Sequence, residues 1–503
     1  MTLSSAFNII NTSFAAIGTQ SATIATNVAN ANTAGYSRQI TNLGTDPYGG
    51  VSVFSVTRVA DAALAAQLNA ATSDSAAQSA ISTGLATLAQ TVSDSATSTT
   101  TSGTNQNGQS PSAMIGNFAS AMASYEATPN SVVTAQAAVT AASSLASSLN
   151  AGSAAVTSVR SNADQQIGKA VNQVNTLLSQ FQTANTSIVA ALANGSNVSS
   201  LQDQRDSIVS QIAQEIGVNT SLSPSGSMSI FADNGATLFQ NIPSTLSFTP
   251  SGTLGAGITG NAVYLNGQPI TGSSANVPIQ SGAIAGLVQL RDTVAPEYQA
   301  QLDQIAGNLI TGFQETDQST TNTGLAALPG LFTTPGATSV PASSDWTGLA
   351  SDISVNASVD PTQGGDATLL RDGGISDTTD TNYTYNTSGS AGYTDRLQQL
   401  VTALQTPMSF ASSAGLGTSS SITNYAQDSV SWLQGANQQA TNDATYQASL
   451  ATQASSALNN ATGVNLDTEL TNMLSIESSY TASAKLLTSA NSMLTTLLSA
   501  VNP

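Results

Sequence analysis

Lys169, Lys485, seven arginines and 28 carboxylates are the whole charged complement of this 503-residue chain, and His and Cys are absent. Histidine is the commonest general base and metal ligand near neutral pH, and cysteine the commonest thiolate nucleophile. Without them, hydrolysis would have to rest on carboxylate pairs, lysine or tyrosine. The two lysines fall on helical stretches far apart in sequence, and the carboxylates are thinly scattered. No grouping of base, nucleophile and oxyanion donors emerges. Arg205 beside Asp203 and Asp206, and Arg291 beside Asp292, read as solvated ion pairs on helices, which contribute little. No catalytic, cofactor-binding or metal-ligating residue is expected.

The composition narrows the partners. The net charge is −19, and nine basic residues in all cannot neutralise a run of phosphates, so nucleic acid is not expected. No run approaches the roughly 20 consecutive apolar residues of a membrane span, so no membrane partner is expected either. The first cation is Arg38, so the start lacks the basic region of a cleaved signal peptide. Charged residues are only 7% against 40% apolar, so solubility rests on Ser, Thr, Asn and Gln. A surface of that kind suits an assembling protein, because burying it takes few charges out of water.

The most regular elements lie at the two ends. Leu3, Phe7, Ile10, Phe14, Ile17, Ser21, Ile24 and Val28 step by four and three, a heptad seam on one face of a helix. That helix stops in the polar stretch Asn30 to Tyr36, whose Asn and Gly residues tolerate left-handed geometry. After Gly463-Val464-Asn465 the same stepping returns at Leu466, Leu470, Met473, Glu477, Tyr480, Ala484, Leu487, Asn491, Leu494, Leu498 and Val501. Glu477 and Asn491 would weaken a buried pair while fixing its register. Two such helices at opposite ends predict a coiled-coil pair; the alternative is that each packs on a globular core.

Between them the spacing predicts helices over residues 61–92, from Ser110-Pro111 to Pro129, on to about Asn150, through Ile167 to Leu192, and from Leu201 to Gly217. Val218 to Gly282 carries short β-prone runs, Ser229–Phe231 and Ala262–Leu265, between Asn234-Gly235 and Asn266-Gly267 turns. Helical spacing resumes from Ile284 to Leu309, and residues 318–391 read as loops with one strand at Asp352–Val359. Leu397 to Met408 and a long helix from Ile422 to Asn460 complete the chain. The expected fold is mainly α with an inserted β-rich domain, an elongated subunit of several domains. The expected division is 1–32 with 464–503 as the terminal coiled coil; 33–217, 283–317 and 392–463 as a helical domain; 218–282 as the β insertion; and 318–391 as a loop-rich outer segment or small β subdomain.

Four ordered motifs resemble the flagellar axial protein family of rod, hook and hook-associated proteins. Asn27-Val28-Ala29-Asn30-Ala31-Asn32-Thr33-Ala34-Gly35-Tyr36-Ser37-Arg38-Gln39 is similar to the motif after the family's first helix, with Ala34 where those proteins usually have Pro. Gly463–Leu470 resembles the family's C-terminal signature. Leu201–Asp206 with Ile216-Gly217-Val218, and Gly282–Leu287 with Leu290-Arg291-Asp292, resemble segments of the hook-associated junction proteins within that family. In those motifs Asn30, Asn32, Thr33, Gly35, Tyr36 and Arg38 are read as shaping a turn and its apolar cover.

The resemblance implies a structural junction subunit between hook and filament, extracellular, exported without a cleaved signal by the flagellar type III system. It implies assembly through the terminal helices, with Leu3, Phe7, Ile10, Phe14, Ile17, Ile24, Val28, Leu466, Leu470, Met473, Tyr480, Leu487, Leu494, Leu498 and Val501 at the interface. Its implied partners are copies of itself in a ring, the hook protein, the second junction protein, and a cytoplasmic export chaperone at the C-terminal segment. Alternatives are another axial subunit, or a secreted adhesin or enzyme with the β insertion as its working domain.

Overall fold

The computed structural model describes residues 3–45, 49–94, 110–319 and 324–501. Helix α1 (Leu3–Ala29) leads into an antiparallel hairpin of β1 (Gln39–Thr45) and β2 (Val51–Arg58). Helices α2 (Ala62–Ala89), α3 (Pro111–Ala127), α4 (Val132–Ala193) and α5 (Ser199–Glu215) follow. Two small sheets come next: β3 (Val218–Leu222), β4 (Met228–Ala232) and β5 (Thr237–Phe239), then β6 (Leu246–Ser247), β7 (Tyr264–Leu265) and β8 (Gln268–Pro269). Helix α6 (Ala283–Gln289) runs through a π turn, Leu290–Val294, into α7 (Ala295–Gly312). Short pieces occupy the next stretch: β9 (Phe332–Thr333), α8 (Leu349–Asp352), β10 (Ser354–Val355) and α9 (Leu369–Asp372). The chain closes with α10 (Asp395–Ala403), β11 (Met408–Ser409), β12 (Ser419–Ser420), α11 (Ile422–Thr462) and α12 (Leu466–Val501).

The fold is mainly α and elongated, as the sequence predicts. At about 1.5 Å per residue, α4 alone is roughly 93 Å long and α11 roughly 60 Å. The sequence predicts two helices where α4 is one of 62 residues. Nothing between Asn150 and Ile167 breaks it: Gly152 is a single helical glycine, and buried Val156, Val159 and Ala163 carry the stripe across the expected gap. The β1–β2 hairpin falls in a stretch expected to be helical; five of the eight residues of Val51–Arg58 are Val, Phe or Thr, which favour a pleated surface. The strand expected at Asp352–Val359 shrinks to Ser354–Val355, paired with Thr333 and Phe332. The Asn266-Gly267 turn is as expected: Asn266 has φ 48° and Gly267 φ 83°, the two left-handed residues of a tight hairpin between β7 and β8.

One connected core runs from Ile81 on α2 through α3, α4, α6 and α7, takes in both three-stranded sheets, and reaches Ala440 on α11. Phe118, Phe313 and Phe332 meet edge-on or tilted at its centre, with centroids 5.2–5.5 Å apart. Although polar residues interrupt every apolar run along it, α4 is also apolar enough by length and composition to cross a membrane. Its alanine content causes this, and its buried stripe of Leu145, Leu149, Val156, Ile167, Val174 and Phe181 faces the core.

Helix α6 crosses α2 with backbone in contact. A Cβ on Gly286 would lie 2.2 Å from the Ala77 carbonyl oxygen, so only glycine fits. Gly286→Ala must push α2 and α6 apart. A loss of about 1–3 kcal/mol in denaturant unfolding is expected, as for overpacked cores.

Candidate assembly site: the joined chain ends

The terminal helices pair antiparallel. Phe14 and Tyr480 stack edge-on with centroids 5.3 Å apart. Ser13 and Ser483 hydroxyls lie 3.2 Å apart, and Asn27 reaches Glu469 at 3.1 Å, so residue numbers rise on α1 as they fall on α12. Helix α1 also packs on the hairpin, where the Thr41 hydroxyl donates to that of Thr23 at 2.9 Å.

On α1 the heptad positions face inward. Ile10, Ile17 and Ile24 are buried, and Leu3, Phe7, Phe14 and Ser21 are half-buried. Val28 is the correction: it is exposed, and Asn27 holds the buried place. On α12 one row of the seam is displaced by a residue. The row Met473, Tyr480, Leu487 and Leu494 flanks the pair, with Leu487 and Leu494 half-buried and the ring of Tyr480 laid against Phe14 while half its surface stays exposed. The second row is Glu469, Ile476, Ser483 and Ala490, in place of Leu470, Glu477, Ala484 and Asn491. Small Ser483 and Ala490 let the helices approach, and Glu469 is held by polar partners, so the larger Leu470 is turned outward. Glu477 and Asn491 are exposed and strain no seam. Leu466, Leu470, Met473 and Leu498 are likewise exposed, and the side chain of Val501 lies outside the described residues.

The rotation leaves α12 apolar on both sides of its seam. At about 100° per residue, Leu466, Leu470, Tyr480 and Leu498 fall on one flank, Leu486, Met493 and Leu497 on the other, and Leu474 on the back, away from the seam. All eight are exposed. Two stripes of exposed apolar surface along one long helix are more than singly scattered surface residues account for.

The family motif forms the joint between this pair and the body. Gly35, at φ 78°, and the bond from Thr33 N–H to Asn30 O at 2.9 Å make the turn after α1. The Asn30 amide donates to Thr26 O at 2.9 Å, and Thr33 Oγ1 donates to Asn30 Oδ1 at 3.2 Å; Asn32 is exposed. The turn returns the chain to Asn27, whose side chain is fully used. Its amide donates to Gln39 O at 2.9 Å and to Glu469, and its oxygen accepts from Tyr36 Oη at 2.8 Å and Gln39 N–H at 2.9 Å. Burial, then the charges of Asp203 and Glu469, push the Tyr36 phenol up to about 12, so it stays a donor. Arg38 Nε donates to Glu469 Oε1 at 2.6 Å, and Arg38 N–H to Thr462 O at 2.8 Å. Two motifs 431 residues apart in sequence thus close on one buried carboxylate.

The hairpin carries the joint into the body. Arg58 pairs with Asp203 at 2.7 Å and with Asp206 at 2.5 Å, both on α5. Burial alone would lower the Arg58 guanidinium, yet Asp206 and Asp203 raise it. This corrects the solvated pairing expected within Asp203–Asp206. Arg205 is buried and donates to Gly226 O at 2.8 Å and Asn185 Oδ1 at 3.3 Å, tying α5 to α4 and the β3–β4 turn. Arg291 is a second correction: it is fully buried, 2.5 Å from Asp164 and 2.7 Å from Asp292.

Glu469→Ala would leave Arg38 and Asn27 facing an empty acceptor site. A local loss of about 1–3 kcal/mol is expected for stranded buried donors. Amide exchange at the start of α12 should speed accordingly, while the melting of the body stays unchanged. Among the described residues no group of three or more carboxylates could hold a metal ion.

Paired ends, an anchored joint and exposed apolar flanks describe a terminal two-helix rod set on a helical body. Residues 97–325 match the helical domain of the flagellar hook-associated protein FlgK, and residues 455–500 match the C-terminal domain of flagellar basal body rod FlgEFG proteins. Over both matched stretches the chain is similar to flagellar axial proteins, the longer match being to the hook-associated FlgK type. It is 27% identical over 146 residues to flagellar hook-associated protein 1 of Escherichia coli (strain K12), a match covering 28% of this chain and 26% of that relative. The flagellar hook junction protein FlgK from Burkholderia pseudomallei overlaps with a TM-score of 0.41 at 24% identity, covering 54% of this chain and 46% of that one.

Proposed function

We propose that this chain is a structural junction subunit joining the flagellar hook to the filament, with no catalytic turnover. The observation that carries the reading is the clasp in which Arg38 and Asn27 of the N-terminal motif hold Glu469 of the C-terminal one. It fixes the two ends as one rod at a set angle to the body, which a subunit needs if identical copies are to form a regular tube. The interface is the α1–α12 pair: Leu3, Phe7, Ile10, Phe14, Ile17, Ile24, Leu487 and Leu494 close it internally. Leu466, Leu470, Tyr480 and Leu498 on one flank and Leu486, Met493 and Leu497 on the other meet neighbouring copies. Met473, Val28 and Val501 lie at its borders.

Its partners in this reading are copies of itself in a ring, the hook protein on one side and the second junction protein on the other. It works outside the cell after export through the flagellar type III apparatus without a cleaved signal. A cytoplasmic chaperone covers the exposed apolar flanks of α12 before export, and removing residues 460–503 abolishes its binding. The test is a deletion strain: flagellin should appear in the medium while hooks stay bare. Filaments of normal number and attachment on that strain would contradict the reading.

A further inference from the structure

Every arginine of the chain is spoken for. Arg38, Arg58 and Arg371 are tied to Glu469, Asp203 with Asp206, and Asp372. Arg160, Arg205, Arg291 and Arg396 are buried. Among the described residues the outward cations are therefore Lys169 and Lys485, against 28 carboxylates in the chain.

Lys169 does not sit on an open convex surface. It lines a trench of about 640 Å³ between α2, α4 and the end of α5. Between Ala76 and Thr87 the α2 wall is roughly 16 Å long at 1.5 Å per residue. Leu287 and Leu290 supply its apolar side, while Thr83, Gln166 and Glu215 supply polar groups. Burial raises the Glu215 carboxyl above its usual range, and no partner within ion-pairing distance reaches Lys169 among the described residues. A trench with apolar and hydroxyl or amide sides and one unpaired cation fits a short stretch of polypeptide that brings a carboxylate.

We propose that this trench takes a carboxylate-bearing surface segment of a second copy of the chain, with that carboxylate on Lys169. Charge complementarity selects the occupant: the chain's own surface offers carboxylates in excess and almost no competing cations. Placed in the body, the contact is separate from the terminal rod and ties adjacent bodies together. The inference rests on the proposed side-by-side packing of copies.

The chain's scarcity of lysine makes the test direct. In a Lys485→Arg background Lys169 is the one side-chain amine. Isolated hook–filament junctions treated with a zero-length carbodiimide should yield dimers joined between Lys169 and an Asp or Glu of another copy. Adding Lys169→Arg should abolish them, and acylation of Lys169 by a water-soluble succinimidyl ester should be about tenfold slower in the assembly than in the free chain. Equal acylation in both states, or dimers none of whose crosslinks map to Lys169, would overturn the trench contact. Should the chain be missing from isolated hooks, the functional reading fails, and the same crosslink in concentrated purified chain then decides the trench by itself.

Discussion

Phe14→Asp combined with Leu487→Asp is expected to eliminate incorporation into the axial structure and leave the body folded. Both residues sit on the seam of α1 and α12, half-buried, with the Phe14 ring against Tyr480. Each change forfeits about 1 kcal/mol of apolar burial, roughly half the value for a fully buried side chain, and each places a carboxylate where desolvation penalises it. A two-helix pair has little reserve, since helices in isolation are marginal and its stability comes from the shared face. The effect stays local because α12 finds its substantial packing against α1, whereas the core from Ile81 to Ala440 contains neither end. Melting of the purified double variant, followed in the near ultraviolet, should match the parent within a degree or two, a shift worth well under 1 kcal/mol. Its incorporation into hooks should be undetectable. Normal incorporation would remove the seam from the assembly mechanism.

The second large effect lies in the body. Arg291→Ala should destabilise it by about 3–5 kcal/mol, since it strands the buried carboxylate of Asp164 and unpairs the half-buried one of Asp292. Asp164 would keep only the Ser251 N–H at 2.7 Å and the Ser251 hydroxyl at 3.1 Å. Arg160 beside it is held by the carbonyls of Arg291, Leu254, Gly255 and Ile258, so the loop that carries the second sheet hangs on the same knot. At 2–4 °C per kcal/mol, the midpoint of thermal unfolding should fall by roughly 10 °C. Amide exchange should rise first at residues 249–261. A shift near zero would mean that the knot is solvated after all.

These two predictions show what periodicity reveals and what it hides. The α1 seam was legible because Ile10, Ile17 and Ile24 are large, apolar and regularly spaced. The α12 seam was half legible: the row through Leu487 and Leu494 stands out, but its companion row consists of Glu469, Ile476, Ser483 and Ala490. A rule that rewards apolar bulk passes over Ser and Ala, although their smallness brings the helices together. Asn27 and Glu469 were hidden for a related reason. A buried polar residue is recognisable only with its partners, and those lie from 9 to 442 residues away in sequence. The buried arginines follow the same logic, since adjacent Asp residues suggest local pairs while the bonds formed run to other elements. The hairpin could have been found from the Val, Phe and Thr content of Val51–Arg58. The trench around Lys169 could not, because four elements meet to make it.

In the proposed assembly the exposed flanks of α12 are completed by neighbouring copies. The chain contains no cysteine, so single substitutions Leu470→Cys and Met493→Cys each give one thiol on opposite flanks. Maleimide labelling should be rapid at both positions in the purified chain and blocked at both in isolated hook–filament junctions. Equal labelling of either flank in the two states would contradict the claim.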